Sequence, residues 1–192
     1  MKKILFLCLL IITGCTKYND LNDLTIIKSI GISYDNNYHL YAQIIEDIDK
    51  DNEPNMKMIE TTGESIKDIF NNLESQINKQ VFLSHIDLLV LDNNLKTNNY
   101  QEIIDYFTAN NDFRNDFYCV FSREIKTLLK DSKYDEVEVF LETNEKYITI
   151  KNFDNVITNF IDNKKIILPN IKYDEKIIYL GNYKYINEGE NA

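Results

Sequence analysis

The chain has 192 residues, 44% of them hydrophobic and 27% charged, and a formal net charge of -10. That apolar fraction is enough for the core of one domain and excludes an intrinsically disordered chain. The acidic balance excludes nucleic-acid binding through a general basic surface, which takes clustered Lys and Arg. An anionic bilayer would also repel the folded part, so membrane attachment has to come from the N-terminus. Gly and Pro number only 5 and 2, which leaves the turns largely to Asn and Asp.

The chain opens MKKILFLCLLIITGCTKYND. Lys2 and Lys3 form a short positive region, and Ile4 to Ile12 carry no charge. A bilayer-spanning helix needs roughly 20 apolar residues, so this run fits the apolar core of a secretory signal peptide instead. It is followed by Ile12, Thr13, Gly14 and Cys15: an aliphatic residue, two small ones, then a cysteine. A plain signal peptide needs only the small residues. The cysteine directly after Gly14 resembles the lipobox of bacterial lipoproteins, in which the thiol is acylated and becomes the new first residue. The expectation is a lipoprotein signal peptide over 1–14, a lipidated tether over 15–24 and a single domain over 25–192. Cleavage would remove two lysines and take the formal charge from -10 to -12. Two or three acyl chains such as palmitate hold such a domain at a membrane, at about 0.8 kcal/mol per buried methylene.

In the mature part, 25–33 and 38–46 read as two strands joined by a turn at Asp35-Asn36-Asn37. An acidic loop leads to a third strand candidate at 56–62. Ser65 then predicts a capped helix with Ile66, Ile69, Phe70, Leu73 and Ile77 on one face. VFLSHIDLLVL, 81–91, reads as one strand buried on both faces. A second helix is expected from a cap at Asn99, with Glu102 three residues on and Tyr100, Ile103, Ile104 and Phe107 inward. FYCVFS, 117–122, reads as another buried strand, and Ser122 as the cap of a short helix carrying Ile125, Leu128 and Leu129. YDEVEVFLET fits helix or strand. Asn152 is expected to cap a further helix with Phe153, Val156, Ile157, Phe160 and Ile161 inward. KIILPNIKY and KIIYLGNYKYI close the chain as strands. The fold class is α/β (α+β): a mixed β-sheet with about three to five packed helices.

Chemical motifs are sparse. There is no G-x-G-x-x-G, P-loop, G-x-S-x-G or H-E-x-x-H. The three cysteines, Cys8, Cys15 and Cys119, show no C-x-x-C spacing, and Cys119 in FYCVF reads as an inert core residue. The two histidines, His39 and His85, read as structural. Asp49, Asp51, Glu53 and Glu60 occupy positions one, three, five and twelve of an EF-hand-like loop. However, Pro54 stands where that loop needs a glycine turn, so a solvated hairpin loop is expected. No catalytic, cofactor or metal site is expected; Cys15, as the lipidation site, is the one site residue.

LNDLTIIKSIGIS, from Leu21, resembles the opening of the Ger(x)C family, the lipoprotein C subunits of bacterial spore germinant receptors. YHLYAQIIE is similar to that family's strand ending in Q-I-I. TGESIKDIFNNLESQINKQVFLSHIDLLVL resembles its block of glycine, helix and strand, with Gly63 and His85 at the matching places. NNDFRNDFYCVFS resembles its next block, with Arg114 at the arginine and Asp112 displaced. IILPNIKYDEKIIYLGNYKYI resembles the close of its N-terminal domain. The resemblance implies a non-enzymatic subunit without a cofactor, outside the membrane beside integral A- and B-type subunits. The assembled receptor responds to nutrient germinants and starts spore germination, in the inner spore membrane. Family members also carry a separate C-terminal domain, absent from 25–192. Two other readings are weighed: a surface lipoprotein binding a small solute, and a lipid-anchored hydrolase, for which no nucleophile or metal set is present.

Overall fold

The structure, a computed structural model, describes residues 24–48, 54–77, 79–132, 135–148, 152–163 and 165–186. The expected signal peptide with Cys8, the expected lipidation site Cys15, the expected tether up to Asp23 and the expected acidic loop at 49–53 lie outside the described residues. Leu24, assigned to the tether from sequence, is the first residue of a strand.

The elements in chain order are β1 (Leu24–Tyr34), β2 (Tyr38–Ile48), β3 (Pro54–Gly63), α1 (Ile66–Gln76), β4 (Gln80–Phe82), β5 (Leu88–Leu91), α2 (Thr97–Ala109) and β6 (Tyr118–Phe121). They continue as α3 (Ile125–Asp131), α4 (Glu136–Thr143), α5 (Phe153–Asn163), β7 (Lys165–Tyr173) and β8 (Ile177–Ile186). Eight strands form one mixed sheet in the order β3-β2-β1-β5-β6-β7-β8, with β4 paired to β1 beside β5. β1, β5, β6 and β7 are parallel; the outer pairs β1–β2, β2–β3 and β7–β8 are antiparallel. The α/β (α+β) expectation therefore holds, with five helices among the described residues.

Apolar alternation on the strands sorts the helices into two layers. Ile30, Ile32, Leu40, Leu89, Leu91, Cys119 and Phe121 pack on one face against α1, α2 and α5. Leu88, Val90, Val120 and Ile171 pack on the other against α3 and α4. β5 is buried on both faces, as its unbroken apolar run requires. The first layer holds a chain of aromatic rings with Phe107 at its centre, 4.4 Å from Phe113, 5.2 Å from Phe153 and 5.9 Å from Phe70 between centroids.

Three glycines mark where backbone geometry decides the fold. A Cβ on Gly31 would stand 2.1 Å from Cγ2 of Ile125, so α3 lies directly on β1 at that point. On the neighbouring strand, buried Gln43 donates its amide N–H to the Leu129 carbonyl at 3.0 Å and satisfies the end of the same helix. Gly63, the glycine of the family-like block, is the last residue of β3. A Cβ there would fall 2.7 Å from Asp68 Cβ, against the first turn of α1. Gly181 has φ +101° and, with Leu180, stands opposite the single residue Asn170. This is a β-bulge with glycine in the left-handed region. It reverses the alternation of β8, so that Ile177 and Tyr179 face the second layer while Tyr183 and Tyr185 face the first.

Several expectations are corrected. Residues 81–91 are not one strand. β4 and β5 both run parallel to β1, but five residues separate Phe82 from Leu88 where two separate their partners Ile26 and Ser29. The excess loops out through a turn at Ser84 and His85. Lys28, at the bulge of β1, spans the gap: its carbonyl accepts from Asp87 N–H and its ammonium pairs with the Asp87 carboxylate. α2 starts two residues before the expected cap. Asn99 sits inside it and turns its Oδ1 back to accept from Lys96 N–H at 2.9 Å. In α3 the cap position belongs to Glu124, and Ser122 instead accepts from Glu124 N–H. The ambiguous segment at 134–143 holds a helix over Glu136–Thr143. Ile161, expected inward on α5, is 59% exposed. Two caps stand as expected: Ser65 Oγ accepts from Asp68 N–H, and Asn152 Oδ1 accepts from Asn155 N–H.

Candidate functional site

Cys15, the single site residue expected from sequence, lies outside the described residues. β1 starts at Leu24, nine residues on, at the amino ends of the parallel strands. No helix among the described residues is long and apolar enough to cross a membrane.

The opposite end of the sheet gathers polar side chains. Beyond the last residue of β5, Asp92 continues the ladder, its N–H donating to the Ile32 carbonyl at 3.1 Å. Its carboxylate accepts from Asn94 N–H, an Asx turn that leads the chain into α2. Burial holds the Asp92 carboxyl above its ordinary range, against the pull of the Asn93 and Asn94 N–H groups and of Arg123. Oriented by its neighbours, the Asn93 amide places nitrogen 2.5 Å from Asp92 Oδ1 and oxygen 3.2 Å from Arg123 Nε. Arg123 enters from the end of β6, where Ser122 N–H still bonds to the Leu91 carbonyl.

β8 completes this cluster through its bulge. Tyr183 lies on Phe121, with centroids 3.8 Å apart, and its hydroxyl donates to the Asn93 carbonyl at 3.4 Å. The Tyr185 hydroxyl bonds the Thr97 hydroxyl at the first residue of α2. One turn on, the Tyr100 ring sits 4.7 Å from that of Tyr185, and its fully buried hydroxyl has no hydrogen-bond partner among the described residues. Burial raises its pKa well above the phenol value.

Beside it, a second network ties α1, α2 and β2 together. Glu102 accepts from the Ile66 N–H at 2.8 Å and from the Tyr38 hydroxyl at 2.7 Å, while Asn99 Nδ2 donates to Tyr38 at 2.9 Å. Glu102, expected to cap its own helix, satisfies the start of α1 instead. These hydroxyls, amides, carboxylates and one guanidinium form hydrogen bonds and fix geometry; neither a histidine nor a cysteine stands among them.

The residues singled out from sequence do not converge. Cys119 is fully buried in β6, and burial pushes its thiol well above the free value, so it is held as the unreactive thiol. His39 bonds Asp35 across the first hairpin at 2.7 Å and holds that carboxyl below its ordinary range. His85 is exposed in the β4–β5 turn with its ring against Phe82. Arg114 is exposed and paired with Asp116, which it holds below the usual carboxylate range; Asp112 is also exposed. Glu60 lies in β3 and pairs with Lys126 of α3. Asp49, Asp51 and Glu53 lie outside the described residues, between strands β2 and β3, which pair as far as Ile48 and Pro54.

Sequence reading missed the cluster around Asp92 because its members lie at 92–100, 121–123 and 183–185. Only the sheet order and the β8 bulge bring them together. The run Asp92-Asn93-Asn94 was legible as a strand stop, not as the floor of a polar site.

Comparison with known proteins gives one family. The model described as spore germination protein N-terminal domain matches residues 17–173, from two residues after Cys15 to the last residue of β7. No curated protein and no solved structure matches. The match covers most of the described sheet and bears out the Ger(x)C resemblance, with a role in spore germination: the chain belongs to the spore germination protein N-terminal domain family.

Proposed function

We propose that this chain is a lipid-anchored, extracytoplasmic subunit of a nutrient germinant receptor-like membrane complex. It acts in germination as a non-enzymatic assembly subunit beside integral A- and B-type subunits. The observation that carries the reading is the family match beginning at residue 17, directly behind the lipobox-like run that ends in Cys15. The placement of β1 supports it. The nine residue steps from an acylated Cys15 to Leu24 reach at most about 32 Å, so the amino ends of the parallel strands stay close to the bilayer. The domain's net charge works against adsorption to anionic lipid, which leaves attachment to the acyl chains.

Replacing Cys15 by Ala tests the anchor. The variant is expected in the soluble extracytoplasmic fraction, whereas the parent sediments with membranes and resists a salt wash. A Cys15→Ala protein that still sediments and resists salt overturns the anchor. Affinity isolation of the parent in mild detergent tests the assembly role. Recovery of an integral membrane partner encoded with it is expected, and recovery of none counts against the role.

A further inference from the structure

Helix α4 presents two faces of opposite character. Val137 and Leu141 are buried against the second layer of the sheet. The outward face carries Val139, 52% exposed, then Thr143, and then Tyr147, 78% exposed, in the turn that follows. The spacing i, i+4, i+8 sets these three in one stripe, because the turn continues the helical curl through Ile148 N–H to the Asn144 carbonyl at 2.9 Å. Among the described residues the Tyr147 ring meets only the Lys146 ammonium, 5.9 Å from its centroid, and the exposed Val139 gains nothing from the placement. A β-branched valine lowers helix propensity and, exposed, keeps its methyls in water. Exposed apolar residues scattered singly need no explanation; a valine on one short helix, in register with a tyrosine in the turn that follows it, does.

The rim of the stripe is acidic. Between residues 135 and 148 stand Asp135, Glu136, Glu138, Glu142 and Glu145 against a single cation, Lys146. Asp87, just before β5 and paired with Lys28, adds a further carboxylate from the sheet. Partial burial raises the Glu138 carboxyl, and the like charges of Asp87 and Glu142 raise it further; Lys28 opposes them. Tyr118 also faces the group and donates to Glu142 at 3.3 Å.

We propose that the outward face of α4 docks a basic, apolar-faced segment of a protein partner. Charge complementarity selects that occupant over the others at hand. The chain's own segments outside the described termini, 16–23 and 187–192, contain four acids and one lysine, so they match the sign of the stripe's rim. A second mature copy carries the same charge of -12 and meets the face with repulsion. An anionic lipid surface is repelled too. A segment with Lys or Arg flanking apolar side chains fills the stripe and pairs with the rim, where neutralising Glu138 and Glu142 also relieves their mutual repulsion. The inference rests on the proposed membrane complex and names the surface with which this subunit holds its partner.

The test uses the full-length chain in its own membranes, with the photo-crosslinking residue p-benzoylphenylalanine in place of Val139. The adduct is mapped by mass spectrometry. Expected is a single adduct on an extracytoplasmic segment of an integral membrane subunit with more Lys and Arg than Asp and Glu, weakening as salt is raised. Adding Glu142→Lys and Glu145→Lys should reduce the adduct at least tenfold and leave membrane sedimentation unchanged. Glu64→Lys with Glu74→Lys, the same charge change on the α1 side, should leave it within twofold. An adduct on a second copy, on lipid or on an acidic segment, no adduct at all, or an adduct indifferent to salt and to charge reversal at Glu142 and Glu145 overturns the proposal. Loss of sedimentation by the parent chain itself would instead overturn the anchor, so the two failures are distinct.

Discussion

Gly31 carries the sharpest prediction. It lies in the middle of β1, paired with Tyr41 on one side and Val90 on the other, and α3 rests on its open face. An added Cβ would be 2.1 Å from Ile125 Cγ2, 3.1 Å from Leu129 Cδ1 and 3.5 Å from Tyr41 Cβ. The first contact is far inside van der Waals distance. The atom it meets is the branch methyl of a helical isoleucine, which has one strongly preferred rotamer and cannot swing away. Ile125 and Leu129 are both buried, so α3 has to lift as a unit. Overpacking of this kind costs about 1–3 kcal/mol, or about 2–12 °C in Tm for a domain of this size. Thermal and urea denaturation of Gly31→Ala, followed by far-UV circular dichroism, measures it. Ile125→Leu removes the branch methyl, so the double variant should recover part of the loss, giving a coupling of at least about 0.5 kcal/mol. A Gly31→Ala protein as stable as the parent, or strictly additive effects, would refute the close approach of α3 to β1.

Other predictions follow from the polar networks and the turns. Glu102→Ala strips an acceptor from both Ile66 N–H and the Tyr38 hydroxyl and should cost about 2–3 kcal/mol, with Glu102→Gln losing less; equal stabilities by urea melt would contradict the network. Tyr100→Phe should leave stability unchanged or raise it by up to about 1 kcal/mol, because the hydroxyl it removes is buried without a partner among the described residues; a clear loss would reveal a bonded hydroxyl. Asp92 has a folded-state carboxyl pKa above its unfolded value, so protonation favours the fold. Its penalty is absent below the unfolded pKa and grows as pH rises through the folded one. Asp92→Asn should therefore gain stability relative to the parent at pH 7 and lose that advantage near pH 3; a gain of the same size at both would rule out the titration of Asp92 as its source. Glu175 has φ 59° in the β7–β8 turn, so Glu175→Gly should stabilise modestly. Gly181→Ala, at φ +101° with nothing near its Cβ, should cost about 1 kcal/mol through backbone strain alone; reversed signs in thermal melts would refute the turn and bulge assignment.

Much of the fold was legible because local signals and tertiary structure agree. KIILPNIKY is β7 residue for residue, and the Ser65 cap with its apolar face is α1. The helix at 136–143 was ambiguous because Val137, Val139 and Leu141 alternate as in a strand while only Val137 and Leu141 are buried. VFLSHIDLLVL hid its break because Leu83 and Ile86 are buried even within the connecting loop. Periodicity does not distinguish a buried loop from a buried strand. Gly31, Gly63 and Gln43 stood out as parts of a family-like pattern, but their physical roles needed the structure: two close approaches of helix to sheet and one satisfied helix carbonyl. The polar site at Asp92 had no local signature, since its tyrosines reach it only through the reversal of β8 at Gly181. Cys15, the proposed lipidation site, has the clearest local signature of any in the sequence.

The most direct measurement is the N-terminal peptide of the protein isolated from membranes, identified by mass spectrometry after proteolysis. The account predicts a peptide that begins at Cys15 and carries a diacylglyceryl group on its sulfur, with an acylated or free amino terminus. A peptide that retains Met1 to Gly14, or begins at another residue with an unmodified Cys15, would contradict it.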